Sequence, residues 1–280
     1  MNTILHENHL VNVDTILDKF EGIKHVCMHG SSERALGFAN KWAKIFLKDT
    51  GGFFTPVNIL EDPLFNAYRV GNVLSISHGM GSTSILIMLN YLTQLMYKSG
   101  NTEFEYIRLG TCGGIGIDPG TVVLTQNVFL PDFSSHYKMD NLDQDIWCEM
   151  KMNQELNGRI IKSQPADLDF KIIQANSVSA TDFYLGQARL DGAITPKFTE
   201  TEKAKYFDKA ISLGIANIEM ESAALSAFCI RFAIPAAMVA VALVNRKRGD
   251  QVTSTSEELS KFSDHAQDVV MNYLVKCAST

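Results

Sequence analysis

The chain has 280 residues, of which 46% are apolar and 20% are charged, and its formal net charge is −6. This balance is typical of a globular protein with a buried core, and the negative charge argues against a broad nucleic-acid footprint. No apolar run reaches the ~20 residues that span a membrane, and the first residues lack the pattern of a secretory signal. We therefore expect a cytoplasmic protein that binds neither nucleic acid nor membrane.

Short β-branched runs alternate with longer segments whose apolar residues recur at helical spacing. Strands are predicted over residues 25–28, 73–77, 106–109, 122–124, 172–178, 215–218 and 237–244. Helices are predicted over residues 34–47, 82–97, 199–213, 222–232 and 256–273, with Ser256 as the cap of the last one. The alternation indicates an α/β fold, a single domain over residues 1–280 with a central mixed β-sheet flanked by helices.

The five cysteines are widely spaced and show no pairing that would suit a zinc site. They are Cys27, Cys112, Cys148, Cys229 and Cys277. The pattern favours reduced thiols and predicts no metal site. Cys112 lies within a glycine-rich segment, where it is either reactive or, as we expect, buried and inert.

Polar motifs follow several of the predicted strands, at the ends where ligands of open α/β sheets bind. After the first strand, Gly30 and Arg34 stand at the start of a helix, where backbone N–H groups favour an anion. The alternative is an ordinary helix start, capped by Ser31 or Ser32, with Arg34 in solvent.

Residues 108–120 are the most informative segment, because they combine five glycines with Arg108 and Thr111. Glycines allow close approach of a ligand to backbone N–H groups, an arginine adds a forked cationic donor, and a hydroxyl serves phosphate and sugar alike. The segment is neither a dinucleotide fingerprint nor a Walker loop. It is an anion site or a plain glycine-rich turn.

A later motif combines an amide, a guanidinium and an aromatic ring. Gln187 and Arg189 are two residues apart, so an extended segment would turn both side chains to one face, where they suit a planar heterocycle with carbonyl groups. Phe183 can stack on such a ring. The alternative is a polar surface loop.

Glu219 and Glu221 end an apolar strand just before a helix. One carboxylate can accept both O–H groups of a ribose diol, although acids at a helix N-terminus are also common for other reasons. Arg246 ends the last strand, where it lies at the mouth of a cleft, is paired within the cleft, or stands in solvent.

Together these motifs resemble the uridine phosphorylases of the nucleoside phosphorylase-I family, more closely the animal-type enzymes. The matching segments are residues 73–81, 108–123, 182–192 and 217–222, and the resemblance extends from about residue 6 to residue 251. It implies reversible, phosphate-dependent cleavage of uridine to uracil and ribose 1-phosphate, in pyrimidine salvage. It implies no cofactor, because inorganic phosphate is a co-substrate, and a homodimer with shared active sites.

The resemblance also implies residue roles. Phosphate binding falls to Gly30, Arg34, Arg108 and Thr111; ribose binding to Met220, Glu221 and His6; and uracil binding to Phe183, Gln187, Arg189 and Arg246. Arg108, Thr111, Gln187, Arg189 and Glu221 are the expected catalytic residues.

The sequence departs from the family pattern at three places. Leu64 aligns with an arginine that the neighbouring subunit donates to phosphate, and Arg69 is a candidate substitute. The cross-interface ribose contact is His6, or alternatively His9. Cys112 stands where a serine or threonine is usual.

The departure at Leu64 leaves one alternative open, a low-activity or inactive paralogue that binds nucleoside or base. A second alternative is a broader pyrimidine nucleoside phosphorylase that also uses thymidine or deoxyuridine.

Overall fold

The computed structural model describes residues 16–48, 54–60, 62 and 64–279. His6 and His9 lie outside the described residues. The strands are β1 (His25–His29), β2 (Ala67–Val70), β3 (Val73–Ser77), β4 (Glu105–Gly114), β5 (Val122–Phe129), β6 (His136–Met139), β7 (Ile146–Glu149), β8 (Ile172–Ser179), β9 (Ile215–Glu219) and β10 (Ala236–Asn245). The α-helices are α1 (Ser32–Phe46), α2 (Gly81–Lys98), α3 (Gln154–Lys162), α4 (Glu200–Ser212), α5 (Ser222–Arg231) and α6 (Ser256–Ala278).

Eight of these strands form one mixed sheet in the order β10-β5-β8-β9-β4-β1-β3-β2. β10 also pairs with β4, so that β4, β10, β5, β8 and β9 close into a ring. β6 and β7 form a separate antiparallel hairpin. The predicted α/β fold with a central mixed sheet flanked by helices is confirmed.

The central strands are buried on both faces, which explains why they are rich in apolar residues. On one face, Cys27, Ile107 and Val239 pack with buried side chains of α1, α3 and α6. On the other face, Val26 and Met238 pack with α2 and α5. Among the described helices, none is both long and apolar enough to cross a membrane.

The largest difference from the sequence prediction concerns β4, which continues to Gly114 instead of ending at Leu109. The glycines stay in the strand because β10 pairs alongside it as far as Asn245. A Cβ atom on Gly110 would lie only 1.3 Å from Nη1 of Arg108. Residues two apart in a strand share a face, so this glycine leaves room for the arginine and does not form a turn.

Smaller elements were missed because their apolar periodicity is short or interrupted by polar residues: β2, the β6–β7 hairpin and α3. The carboxamide of Asn153 caps α3 by accepting from the N–H of Leu156 at 2.8 Å. The cap assigned to α6 was wrong by one residue. Thr255, not Ser256, accepts from the N–H of Glu258 at 3.2 Å, and the Glu258 carboxylate accepts from the N–H of Thr255 at 2.7 Å.

Candidate active site

A cavity of about 380 Å³ opens where β1, β4, β9 and β10 end, a size that suits a small-molecule ligand. Ten of the eleven site residues assigned from the sequence line it: Gly30, Arg34, Arg108, Thr111, Phe183, Gln187, Arg189, Met220, Glu221 and Arg246. The eleventh, His6, lies outside the described residues. Segments up to 216 residues apart in the chain thus meet in one cavity, as the parallel strand ends require.

Arg108 and Glu221 form a buried ion pair in the cavity wall. Nη2 of Arg108 donates to Oε2 of Glu221 at 2.5 Å, and both side chains are 5% exposed. The backbone N–H of Gly81, at the start of α2, donates to Oε1 of the same carboxylate at 2.7 Å. Glu221 is therefore held in place by a guanidinium and by the N-terminus of α2.

Arg34 flanks the same end of the cavity from the first turn of α1 and is exposed. Its helix is capped by Ser31, whose hydroxyl accepts from the N–H of Arg34 at 3.4 Å. The two interpretations of this motif therefore hold together, because Ser31 caps the helix while Arg34 lines the cavity. Burial on one side and the positive charge of Arg108 lower the pKa of Arg34.

Two buried histidines stand behind these arginines. Nε of Arg108 donates to Nε2 of His78 at 3.4 Å. Burial and the charges of Arg108 and Arg34 lower the pKa of His29 to about 3. Burial, Arg108 and His29 lower the pKa of His78 well below its usual range. Both imidazoles are therefore neutral near pH 7, so the positive charge at this end belongs to the arginines.

Glu219, the other acid of its motif, has a structural role. Its carboxylate accepts from the N–H groups of Glu221 and Ser222 at 2.9 Å and from the hydroxyl of Ser222. It thereby binds the N-terminus of α5, as the simpler interpretation of this motif proposed. Burial and the neighbouring Glu221 raise the pKa of Glu219. Of the two acids, Glu221 is the one that is held by cavity groups.

The far end of the cavity contains Gln187 and Arg246, which are 4% and 2% exposed. Nη2 of Arg246 donates to the backbone carbonyl of Gln187 at 2.7 Å, and Nε donates to Oδ1 of Asp250 at 2.9 Å. Asp250 also accepts from Nζ of the buried Lys203 at 2.8 Å. Arg246 is thus paired within the cavity wall and does not extend into solvent.

The segment that carries Gln187 and Arg189 is not extended, contrary to the sequence prediction. A short 3-10 turn spans Leu185–Gln187, and Ala188 follows with a left-handed φ of 53°. Both side chains still reach the cavity, because the turn and the left-handed residue bring the chain back toward it. The N–H of Arg189 donates to the carbonyl of Tyr184 at 2.9 Å and closes this turn.

Arg189 is held on two sides. Its Nε and Nη2 donate to the two carboxylate oxygens of Asp191 at 2.8 and 2.5 Å, and its guanidinium lies 4.7 Å from the ring centre of Phe183. Nε2 of Gln251 donates to the same carboxylate at 2.6 Å. Phe183 is 46% exposed at the cavity edge, which leaves ring surface open to a ligand.

Sequence reasoning did not single out Asp191, Asp250 or His78 as functional. Asp191 is two residues from Arg189 and Asp250 is four residues from Arg246, so a search for carboxylates near each candidate arginine would have found both. No sequence spacing would have found His78, because its contact with Arg108 joins two separate strand ends.

The three departures now have structural descriptions. Leu64 is 54% exposed in a turn in which the Asp62 carboxylate accepts from its N–H at 2.7 Å. Arg69, the candidate substitute, donates to the carbonyls of Lys19 and Gly71 at 2.8 and 2.9 Å. Cys112 is buried, and burial raises the pKa of its thiol to about 12, in agreement with an inert thiol.

The family model described as the phosphorylase superfamily matches residues 24–279. This chain belongs to the phosphorylase superfamily. It is 33% identical to uridine phosphorylase 1 of Mus musculus over 92% of this chain and 82% of that protein. It is 31% identical to the inactive uridine phosphorylase B of Schistosoma mansoni over 92% and 86%.

Solved structures of the phosphorylase superfamily show the same fold. The structure of Schistosoma mansoni uridine phosphorylase in complex with uracil superposes with a TM-score of 0.91 at 31% identity, covering 99% of this chain and 96% of that one. The resemblance to uridine phosphorylases in the sequence motifs is confirmed. Within this superfamily member, one cavity combines a cationic end, a fixed carboxylate and an end with an amide and two arginines.

Proposed function

We propose that this protein catalyses the reversible, phosphate-dependent cleavage of uridine to uracil and ribose 1-phosphate. The observation that carries the proposal is that groups suited to phosphate, ribose and uracil line one cavity. Arg34 and Arg108 suit phosphate, Glu221 suits the ribose hydroxyls, and Gln187 with Arg189 suits the carbonyl and N3–H groups of uracil. Each of these three groups thus matches one part of the two substrates: phosphate, the ribose of uridine, or its uracil base.

The chemistry follows from these positions. A phosphate oxygen attacks C1′ of the ribose as the bond from C1′ to N1 breaks, and the electron pair of that bond leaves with uracil, which takes a proton from water. Arg34, Arg108 and Thr111 hold the phosphate, so that attack becomes effectively intramolecular. Gln187 and Arg189 bind the base more strongly as it gains negative charge, which lowers the barrier. The reaction uses no cofactor and no metal, because phosphate is the second substrate.

We further propose a homodimer whose subunits complete each other's active sites. The proposal rests on the resemblance, which assigns a ribose contact to the partner's N-terminal segment, and on the open side of the cavity. Met80, in the cavity wall, is 82% exposed, and Ile87, on α2 outside the cavity lining, is 40% exposed. A second copy would cover both side chains. Sedimentation of the 31.0 kDa chain as a monomer only, at micromolar concentration, would contradict this.

The cytoplasm remains our proposed location. It is supported by the five cysteines, all of which are free. Reduced thiols persist in that compartment.

Leu64 supports one competing function, a phosphorylase of low activity or a protein that only binds nucleoside. An exposed leucine adds no charge to a partner's phosphate, and Arg69 is already bonded elsewhere. A relative of comparable identity is described as inactive.

Apolar residues in the cavity wall support a second alternative, use of thymidine. Leu243, Val244 and Val252 suit the 5-methyl group of that substrate.

The test is release of uracil from uridine with and without phosphate, for wild type and Leu64→Arg. We expect phosphate-dependent release by wild type and a lower phosphate KM for Leu64→Arg, because the variant adds one cation. Thymidine and deoxyuridine run in parallel define the substrate range. Absence of uracil release by wild type, with activity restored in Leu64→Arg, would support the low-activity alternative. Absence in both would contradict the proposed reaction.

A further inference from the structure

Beside Arg189, at the base end of the cavity, a carboxylate outside the cavity lining is not yet used by the proposed reaction: that of Asp191. It lies two residues beyond Arg189 and accepts from both Nε and Nη2 of that guanidinium, at 2.8 and 2.5 Å. This forked pairing uses both oxygens of the acid and one whole edge of the arginine. The orientation of Arg189 is therefore set by Asp191 as well as by its own backbone.

Further contacts show that the pairing is part of a built arrangement. Gln251 donates at 2.6 Å to Oδ2 of Asp191, the oxygen that also accepts from Nη2 of the arginine. Phe183 and Tyr184 lie under the guanidinium, at 4.7 and 5.9 Å from their ring centres. The Arg189 side chain is 11% exposed as a result. A long, flexible side chain is thus held by an ion pair and by aromatic contact, which reduces the entropy that ligand binding would otherwise cost.

The pairing also determines which donors remain for a ligand. A guanidinium has five N–H groups, and Asp191 takes the one on Nε and one on Nη2. The two on Nη1 and the second one on Nη2 are left for the base. These point away from Asp191, since the guanidinium is planar. A planar pyrimidine with two carbonyl groups therefore meets a fixed set of donors.

We infer that Asp191 is a positioning residue for the leaving base: it holds Arg189 so that its free N–H groups meet uracil as negative charge develops there. This inference rests on the proposed phosphorolysis. Donors that are already oriented need no reorganisation during reaction, which is why preorganised donors stabilise a transition state so well. Asp250 holds Arg246 in a similar way, but through a single oxygen, while its other oxygen accepts from buried Lys203.

The test replaces Asp191 by asparagine and compares two leaving groups. In Asp191→Asn, the amide group can accept from Nε but presents N–H groups to Nη2, so the forked pairing is lost. Uridine and 5-fluorouridine are then compared in single turnovers with saturating phosphate, so that product release does not hide the chemical step. Fluorine withdraws electrons, so 5-fluorouracil leaves with less help from Arg189.

We expect Asp191→Asn to slow uridine cleavage about 30-fold and 5-fluorouridine cleavage only about 3-fold. The misplaced Arg189 stabilises the negative charge on the leaving base less well, and 5-fluorouracil depends less on that stabilisation. Gln251→Ala should show a smaller effect with the same preference. Asp208→Asn is the matched control, because it removes a carboxylate from an exposed ion pair with Lys247, and both rates should be unchanged.

A second measurement tests whether Asp191 acts through Arg189. In an Arg189→Met background, Asp191→Asn should cause little further loss, because the group that it positions is gone. Equal slowing of both nucleosides by Asp191→Asn, or a full further loss in the Arg189→Met background, would overturn the inference and leave Asp191 a purely structural role. If wild type releases no base from either nucleoside, the proposed function itself fails, and this inference fails with it.

Discussion

Two arginines stand at each end of the cavity, but their partners differ. At the phosphate end, Arg108 forms an ion pair with one carboxylate, that of Glu221, and Arg34 makes no ion pair within the described residues. At the base end, Arg189 and Arg246 each donate through Nε to an aspartate. Arginines that are to bind an anion keep free donors and a net positive field, whereas those facing an uncharged base are held by acids.

The same contrast appears in the groups behind each pair. The phosphate end is supported by two neutral imidazoles, His29 and His78, which add hydrogen-bonding capacity without cancelling charge. The base end is supported by Asp191 and Asp250, which restrict motion and reduce the local charge. One cavity can thus bind a dianion and an uncharged heterocycle without exchanging their places.

The largest expected effect comes from removing the buried cation of the phosphate end. Arg108→Met should lower kcat/KM about 10²–10³-fold, as does the loss of one preorganised donor elsewhere. It should also destabilise the fold by about 3–5 kcal/mol, because Glu221 is left buried and unpaired. Steady-state kinetics and denaturant unfolding measure the two effects. The double variant Arg108→Met/Glu221→Gln should recover stability but not activity, which would separate the two effects. Unchanged kinetics in Arg108→Met would contradict the role assigned to Arg108.

Gly110→Ala tests the same arginine without touching it. The new methyl group would occupy the place of the Arg108 guanidinium, whose flexible end can move, so the fold should persist while the arginine is displaced. We expect kcat/KM to fall about 10²-fold, as for a misplaced catalytic group. Gly37→Ala in α1 is the control, because a methyl group at that position would point into open space. That variant should keep full activity and gain up to about 1 kcal/mol.

Arg34→Ala should have a smaller and more selective effect. Arg34 is exposed, so its loss removes binding energy for phosphate without leaving a buried charge. We expect the phosphate KM to rise about tenfold, equivalent to about 1.4 kcal/mol, with little change in the KM for uridine. Kinetics with each substrate varied in turn would check this. A larger change in the uridine KM would contradict the division of the cavity into two ends.

The smallest effect concerns the pH dependence of stability. The pKa of His29 is about 3 in the folded protein and ordinarily 6.5. Between these two pH values, the unfolded chain binds a proton at this residue and the folded chain does not. The contribution of His29 to the free energy of unfolding is fully present above about pH 6.5. It is lost as the pH falls toward 3, by up to about 1.4 kcal/mol per pH unit. The fall in Tm between pH 7.5 and 5 should therefore be shallower in His29→Gln than in wild type.

His136→Gln, in the exposed β6–β7 hairpin, is the matched histidine control for this measurement. An identical slope for His29→Gln and wild type would contradict the buried neutral state of His29.

Much of the fold could be predicted from the sequence because the central strands are buried on both faces. Short segments rich in apolar residues, such as residues 73–77 and 215–218, have few alternatives in an α/β protein. The β6–β7 hairpin was missed because its side chains alternate between half-buried and exposed without a strong apolar period. β4 was predicted too short because glycines usually indicate a turn, whereas here Gly110 leaves room for Arg108.

The sequence by itself determined most of the residues that line the cavity, because Gly30, Gln187, Arg189 and Glu221 belong to motifs that follow strands, and strand ends meet at one edge of a sheet. Only the tertiary structure decided their partners. Three pairings depend on distances of a few ångströms between side chains: Arg108 with Glu221 and His78, Arg189 with Asp191, and Arg246 with Asp250. Periodicity and composition place backbone segments, whereas hydrogen bonds and charge pairing require the packed geometry that brings those segments together.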